Sequence, residues 1–182
     1  MDRTLYIGIT GHRNLRKDDI PRLRELVRGE LEHICAACPH HEVVMLDSLA
    51  AGADLLCAEE AAALGIPIVC PLPLPAEEYS SDFDGEDLSR FRALLAGARS
   101  VFVAPDAENG KTDRDYHYRQ AGLYIVSHCS ALLALWDGEP PRSTCGTAEM
   151  VRLMKSRGGT VIHLPTPRES SISPDSPQSH IP

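Results

Sequence analysis

Hydrophobic positions along the 182 residues fall into a repeating alternation: a short apolar run, a turn, then a stretch with helical spacing. The apolar runs are LYIGIT (5–10), EVVMLDSL (42–49), IPIVCPLP (66–73), SVFVAP (100–105), ALLALWDG (131–138) and TVIHLP (160–165). All six read as apolar on both faces. Strands of that kind separated by helices predict a doubly wound α/β fold, a mainly parallel sheet covered on both sides in three layers.

The intervening helices are expected at about 18–37, 52–64, 86–97, 114–129 and 146–157. In the first, Leu23, Leu26, Val27, Leu31 and Ile34 share one face, Asp18 and Asp19 suit the positive end of the helix dipole, and Pro21 fits the first turn. Gly65, Gly97 and the Gly158-Gly159 pair mark helix ends. Residues 106–113 read as a polar loop, and 74–87 as an acidic connection, either a lid or a solvated loop. From Thr166 the chain turns rich in Ser and Pro with little to bury, so the expected organisation is one domain over 1–165 and a disordered tail over 166–182.

A hydrophobic fraction of 43% with 24% charged residues fits a folded domain, not a disordered chain. The net charge of −8 is concentrated in the middle, where residues 31–110 carry 14 acidic and 3 basic side chains. Without a basic stripe, duplex nucleic acid is not an expected partner, whereas a small anion held by an arginine and backbone amides is. No apolar run reaches the roughly 20 residues that span a bilayer, so no membrane partner is expected and the location is expected to be cytoplasmic. Six cysteines lie scattered through apolar segments, as buried thiols do. HICAACPHH gathers His33, Cys35, Cys38, His40 and His41, but no second ligand pair follows at zinc-site spacing. A polar helix end is the expectation there, with no metal and no cofactor.

Ligands of doubly wound sheets sit beyond the carboxyl ends of the strands, so the turns that leave the strands carry the candidate chemistry. The first is Gly8-Ile9-Thr10-Gly11-His12-Arg13, in which glycines permit close backbone approach, Thr10 offers a hydroxyl and Arg13 a fixed charge. An ordinary strand-ending turn with a solvated arginine explains it equally. The second runs from Ser48 through Gly52 to Asp54, a glycine-opened helix start suited to an anion, with Asp54 as candidate contact or simple dipole partner. The third joins Asp137-Gly138 to Gly146-Thr147-Ala148-Glu149. Gly146 stands where a capping box needs Ser or Thr, which leaves Glu149 for a ribose contact, for glycosidic bond cleavage, or for the helix dipole. Cys145 at that helix start is a candidate nucleophile without an evident base. His12, His117, His128 and His163 likewise lack partners at useful spacing.

GITGHR, SLAAGADLLCAEEAAALGIPIVCPLPLP, YRQAGLYIVSHCSALLALWDG and CGTAEM together resemble the SLOG superfamily, over roughly residues 4–165. This Rossmann-like group includes the Lonely-guy phosphoribohydrolases, DprA-like domains and the sensor domains of bacterial nucleotide signalling. The resemblance implies a pocket at the carboxyl edge of the sheet for a nucleotide or nucleotide-derived small molecule, its phosphate on the Gly146-Thr147 turn, and a homodimer. In the enzymatic branch a PGGxGTxxE motif and a helix arginine cleave base from nucleoside 5′-monophosphate; Glu149 and Arg119 are the corresponding residues here. WDGEPPRSTC replaces the leading PGG and Glu149 comes one position early. Binding or sensing is therefore the expected function, with N-glycosidic hydrolysis as the alternative.

Overall fold

The computed structural model describes residues 3–105, 113–140 and 146–168. Six strands, β1 (Arg3–Gly11), β2 (His41–Leu46), β3 (Ile68–Leu72), β4 (Ser100–Val103), β5 (Ala131–Trp136) and β6 (Thr160–Pro165), form one parallel sheet in the order β4-β3-β2-β1-β5-β6. Helices α1 (Ile20–Ala37), α2 (Ala53–Ala63), α3 (Ala76–Tyr79), α4 (Gly85–Gly97), α5 (Arg114–His128) and α6 (Thr147–Ser156) connect them. The doubly wound α/β fold expected from periodicity is what forms. Connections run outward in opposite directions from β1 and β5, so the topological switch point lies between these two neighbours.

Strand side chains alternate between two cores. Ile7, Ile9, Leu133 and Leu135 pack toward α1 and α2, while Leu132 and Ala134 join Ile125, Val126, Met150 and Met154 of α5 and α6. Gly8 lets α5 come close, because a Cβ there would lie 2.6 Å from the Ile125 side chain and 2.8 Å from Cys129 Sγ. The outer helices are tied by charge: Arg24 and Arg28 of α1 both reach the buried Glu60 of α2, and Glu59 takes Arg24 and Arg90 of α4.

Three expectations need correction. Strand β4 is apolar but not covered on both faces: Val101 and Val103 are 40% and 47% exposed, because β4 is an edge strand. Nor is the acidic connection a solvated loop. Tyr79 is fully buried and packs edge-on against Phe83 and Phe91, and Arg114 reaches both Glu78 and Asp82 from the start of α5. Aromatic burial outweighs the acidic composition that surrounds it. Lastly, the described chain stays docked past Pro165. Thr166 is buried with its amide on the Trp136 carbonyl at 2.9 Å, and Arg168 pairs with Leu15 in an isolated antiparallel bridge. Residues 169–182, and 106–112 of the polar loop, lie outside the described residues.

Gly52, at φ +83°, sets the entry to α2: a Cβ there would fall 2.1 Å from the Arg13 carbonyl oxygen. Gly52→Ala combines that collision with left-handed strain, and chemical denaturation is expected to show a loss on the order of 3 kcal/mol. Exposed Gly29 in α1 has nothing within 4 Å of its missing Cβ, and Gly29→Ala is expected to gain up to about 1 kcal/mol in the same assay.

Candidate functional site

Strands β1 and β5 end side by side at the switch point, and their exit turns are bonded to each other. The His12 amide donates to the Leu135 carbonyl at 3.1 Å. The His12 ring is buried, and its Nε2 lies 3.0 Å from the Asp137 amide and 3.3 Å from Asp137 Oδ1. His12 is thereby a clamp between the two turns. Asp137 in turn accepts the Glu139 amide on Oδ1 at 3.0 Å and Arg168 Nε on Oδ2 at 2.7 Å. Burial works against its charge, but the Glu139 amide, His12 and the Arg168 guanidinium outweigh it and hold Asp137 below the usual carboxylate range.

Above these turns opens a cleft of about 430 Å³. Of the residues expected from sequence, Thr10, Gly11, His12, Arg13, Ser48, Asp54, Gly146 and Thr147 line it. Gly8, Gly52, Asp137, Gly138, Arg119 and Glu149 are not part of the lining. Gly8 and Gly52 serve close packing of helix on strand and of turn on turn. Gly138, at φ +83°, turns the chain after β5. Arg13 sits with its guanidinium carbon 4.7 Å from the centroid of the Tyr118 ring. Among the described residues it makes no hydrogen bond or ion pair, so its N–H donors are available to a ligand.

Across from Arg13 lies a buried acid. Asp54 Oδ2 accepts from Ser48 Oγ at 3.2 Å and from the Ala50 amide at 3.3 Å. Its neighbour Asp47 is fully buried; Oδ1 takes the Leu49 amide at 2.6 Å, and Oδ2 has no hydrogen-bond partner among the described residues. That bond holds Leu49 at φ +57°, a conformation costly for a leucine. Burial lifts Asp54 from the ordinary 3.8 to about 6, against the opposing pull of the Ala50 amide, Ser48 and Arg13. Burial, with Asp54 close by, lifts Asp47 well above the usual range as well.

At the far wall, α6 starts at Gly146 with no side-chain cap, and Gly146, Thr147 and Ala148 face the cleft with first-turn amides that precede the intrahelical ladder. Behind them Arg119 donates from Nε and Nη2 to Glu149 Oε1 at 3.0 and 2.9 Å, while the buried Oε2 has no hydrogen-bond partner among the described residues. Arg119 and Glu149, the two residues expected to act together, thus bond each other, one layer behind the lining. The lining also holds Tyr118 and Asp115, which no glycine turn marks, Asn14, one residue past the first turn, and Arg168, which the sequence placed in the tail. A buried Asp47 beside Ser48 was readable only as part of a strand. Cys145 lies outside the described residues, and His117, His128 and His163 do not line the cleft. Among the described residues no three His, Cys, Asp or Glu side chains converge as metal ligands, those of HICAACPHH included. No described helix is long and apolar enough to cross a membrane.

No family model matches the chain, and no curated protein matches it. Solved structures do. DNA processing protein A (DprA) from Streptococcus pneumoniae is 14% identical, with a TM-score of 0.58 over 93% of this chain and 52% of that one. A DprA from Helicobacter pylori, described by its single-stranded DNA binding mode, is 13% identical, with a TM-score of 0.55 over 93% of this chain and 68% of that one. TM1055, a structural genomics target, is 16% identical, with a TM-score of 0.51 over 87% and 72%. The chain spans about half the length of the S. pneumoniae structure. At these identities the likeness is one of fold alone, a Rossmann-like parallel sheet.

The expected partners must be corrected on this finding. A small nucleotide-derived molecule was expected and nucleic acid was not, yet a protein of the same fold is described by how it binds single-stranded DNA. The charge argument weighed a basic stripe along a duplex and left out base stacking on aromatic side chains, which single strands use together with phosphate contacts.

Asp54 generates a pH prediction. Its folded-state value lies above the ordinary one, so the folded protein holds this proton more tightly, and stability falls as pH rises from about 3.8 to about 6. Asp54→Asn keeps an acceptor for the Ala50 amide and removes the buried charge. Urea denaturation across this range is expected to show the variant gaining on the wild type by on the order of 2–3 kcal/mol, with no further gain above pH 7.

Proposed function

We propose that the cleft binds a nucleotide unit, either free or as part of a single-stranded nucleic acid, without covalent change. The observation that carries this reading is Arg13, stacked on Tyr118 and free of carboxylates among the described residues, beside the uncapped first turn of α6. A guanidinium and helix-start amides are the groups that receive a phosphate, and the Tyr118 ring adds a stacking surface. A single-stranded DNA binder among proteins of the same fold supports the same chemistry.

Hydrolysis of an N-glycosidic bond is the second reading, favoured by the Arg119–Glu149 pair and by the buried Glu149 oxygen without a hydrogen-bond partner among the described residues. Against it stands the placement of both residues behind the lining.

Thermal unfolding of the full chain with 5′-mononucleotides, cyclic nucleotides, NAD and short single-stranded oligodeoxynucleotides tests both. Ligand at 100 times its Kd adds about 2.7 kcal/mol, a rise of roughly 5–10 °C for a domain of this size. A shift with the ligand recovered intact is the expected outcome, and no shift across the panel overturns the proposal. Arg13→Gln is expected to weaken the active ligand about 10- to 100-fold, the loss of a charge-assisted phosphate contact. Release of free base, abolished by Glu149→Gln with affinity kept, would replace binding by hydrolysis.

A further inference from the structure

The strap that follows β6 brings a second cation to the cleft. Thr166 is buried, bonded through its amide to Trp136 and through its hydroxyl to the Leu164 carbonyl at 2.8 Å. Two residues on, the Leu15–Arg168 bridge lays the strap against the turn that carries Arg13. Arg168 therefore lines the same cleft as Arg13 although 155 positions separate them in sequence. Its Nε is fixed on Asp137 at 2.7 Å. The terminal Nη groups have no partner among the described residues, and a third of the side chain is exposed.

This is an aimed guanidinium, not a buried ion pair. Arg99, by contrast, spends two of its nitrogens on both oxygens of Glu42 at 3.0 and 2.5 Å. Here one N–H anchors the group and four remain for a ligand. Two guanidiniums facing one cleft repel each other until an anion lies between them, and a phosphate with two negative charges answers both.

We propose that Arg13 and Arg168 form a two-arginine clamp for a terminal phosphate monoester, with Asp137 as the residue that positions Arg168. The clamp rests on the nucleotide reading above and narrows it. An internal phosphodiester carries one charge and a monoester nearly two, so the clamp selects a 5′- or 3′-phosphate end. The same chemistry is offered by a free mononucleotide and by the phosphorylated end of a single strand.

The test uses the full chain and four probes: dAMP, deoxyadenosine, and tetrathymidylate with and without a 5′-phosphate. For the source that the cleft accepts, the phosphorylated member is expected to bind at least about tenfold more tightly than its partner. Arg168→Gln is expected to abolish that advantage and to leave the unphosphorylated member unchanged, and Arg168→Lys to restore part of it. Arg92→Gln, on exposed α4 surface outside the cleft, is the control for charge alone. An Arg168→Gln variant that folds, by its thermal midpoint, and retains the phosphate advantage overturns the clamp while the nucleotide reading stands. Equal loss for both members of a pair overturns it too, because the effect is then not on phosphate. If no probe binds the wild type, the nucleotide reading itself fails.

Discussion

The turn that leaves β1 is pressed against the start of α2 so closely that no side chain fits between them, and the cleft is a product of that contact. A Cβ on Gly11 would meet the Ala53 methyl at 2.3 Å, and one on Gly52 would meet the Arg13 carbonyl. The Ala53 amide closes the contact by donating to the His12 carbonyl at 3.0 Å. Once these backbones touch, Arg13 has to project over the sheet edge and Asp54 has to sit beneath it. His12 then fastens the same turn to the end of β5, so both sides of the switch point are held by one short stretch of chain. Gly8, Gly11 and Gly52, which read from sequence as room for a ligand, instead give room to neighbouring side chains and backbone.

Burial and charge divide the site into two regions. Beneath the cleft, Asp47 and Asp54 lie where water does not compensate them, and burial favours their neutral forms. At its rim, Arg13 and Arg168 stay partly in water and permanently charged. The cleft therefore presents fixed cations above acids whose charge depends on pH, although the chain as a whole is acidic. Net charge described the surface in general and said little about this edge, since local groups set the field at a site.

Fold class was legible because the six apolar runs and their helical partners repeat at lengths that only a parallel, covered sheet accommodates. Element ends were legible wherever a residue had a local duty, such as the glycines that stop α2 and α6. What escaped were features made by contacts distant in sequence. Tyr79 draws an acidic segment into an aromatic cluster, and Arg168 is held by Leu15 and Asp137. Composition left the acidic segment as a lid or a solvated loop and gave Arg168 to a disordered tail. The candidate site divides in the same way: residues on strand exits were found by position, whereas those supplied by α5 and by the strap required three-dimensional proximity.

Leu49 stands in a conformation that glycine adopts without cost, held there by the Asp47 carboxylate. The two positions therefore behave as one heritable unit. A glycine at 49 releases Asp47 from its duty, and position 47 is then free to become apolar and to relieve the core of a buried acid. While leucine remains at 49, loss of the carboxylate leaves a strained turn with nothing to hold it. While leucine stays at 49, tolerance at position 47 is therefore set by the backbone of the turn and not by a ligand.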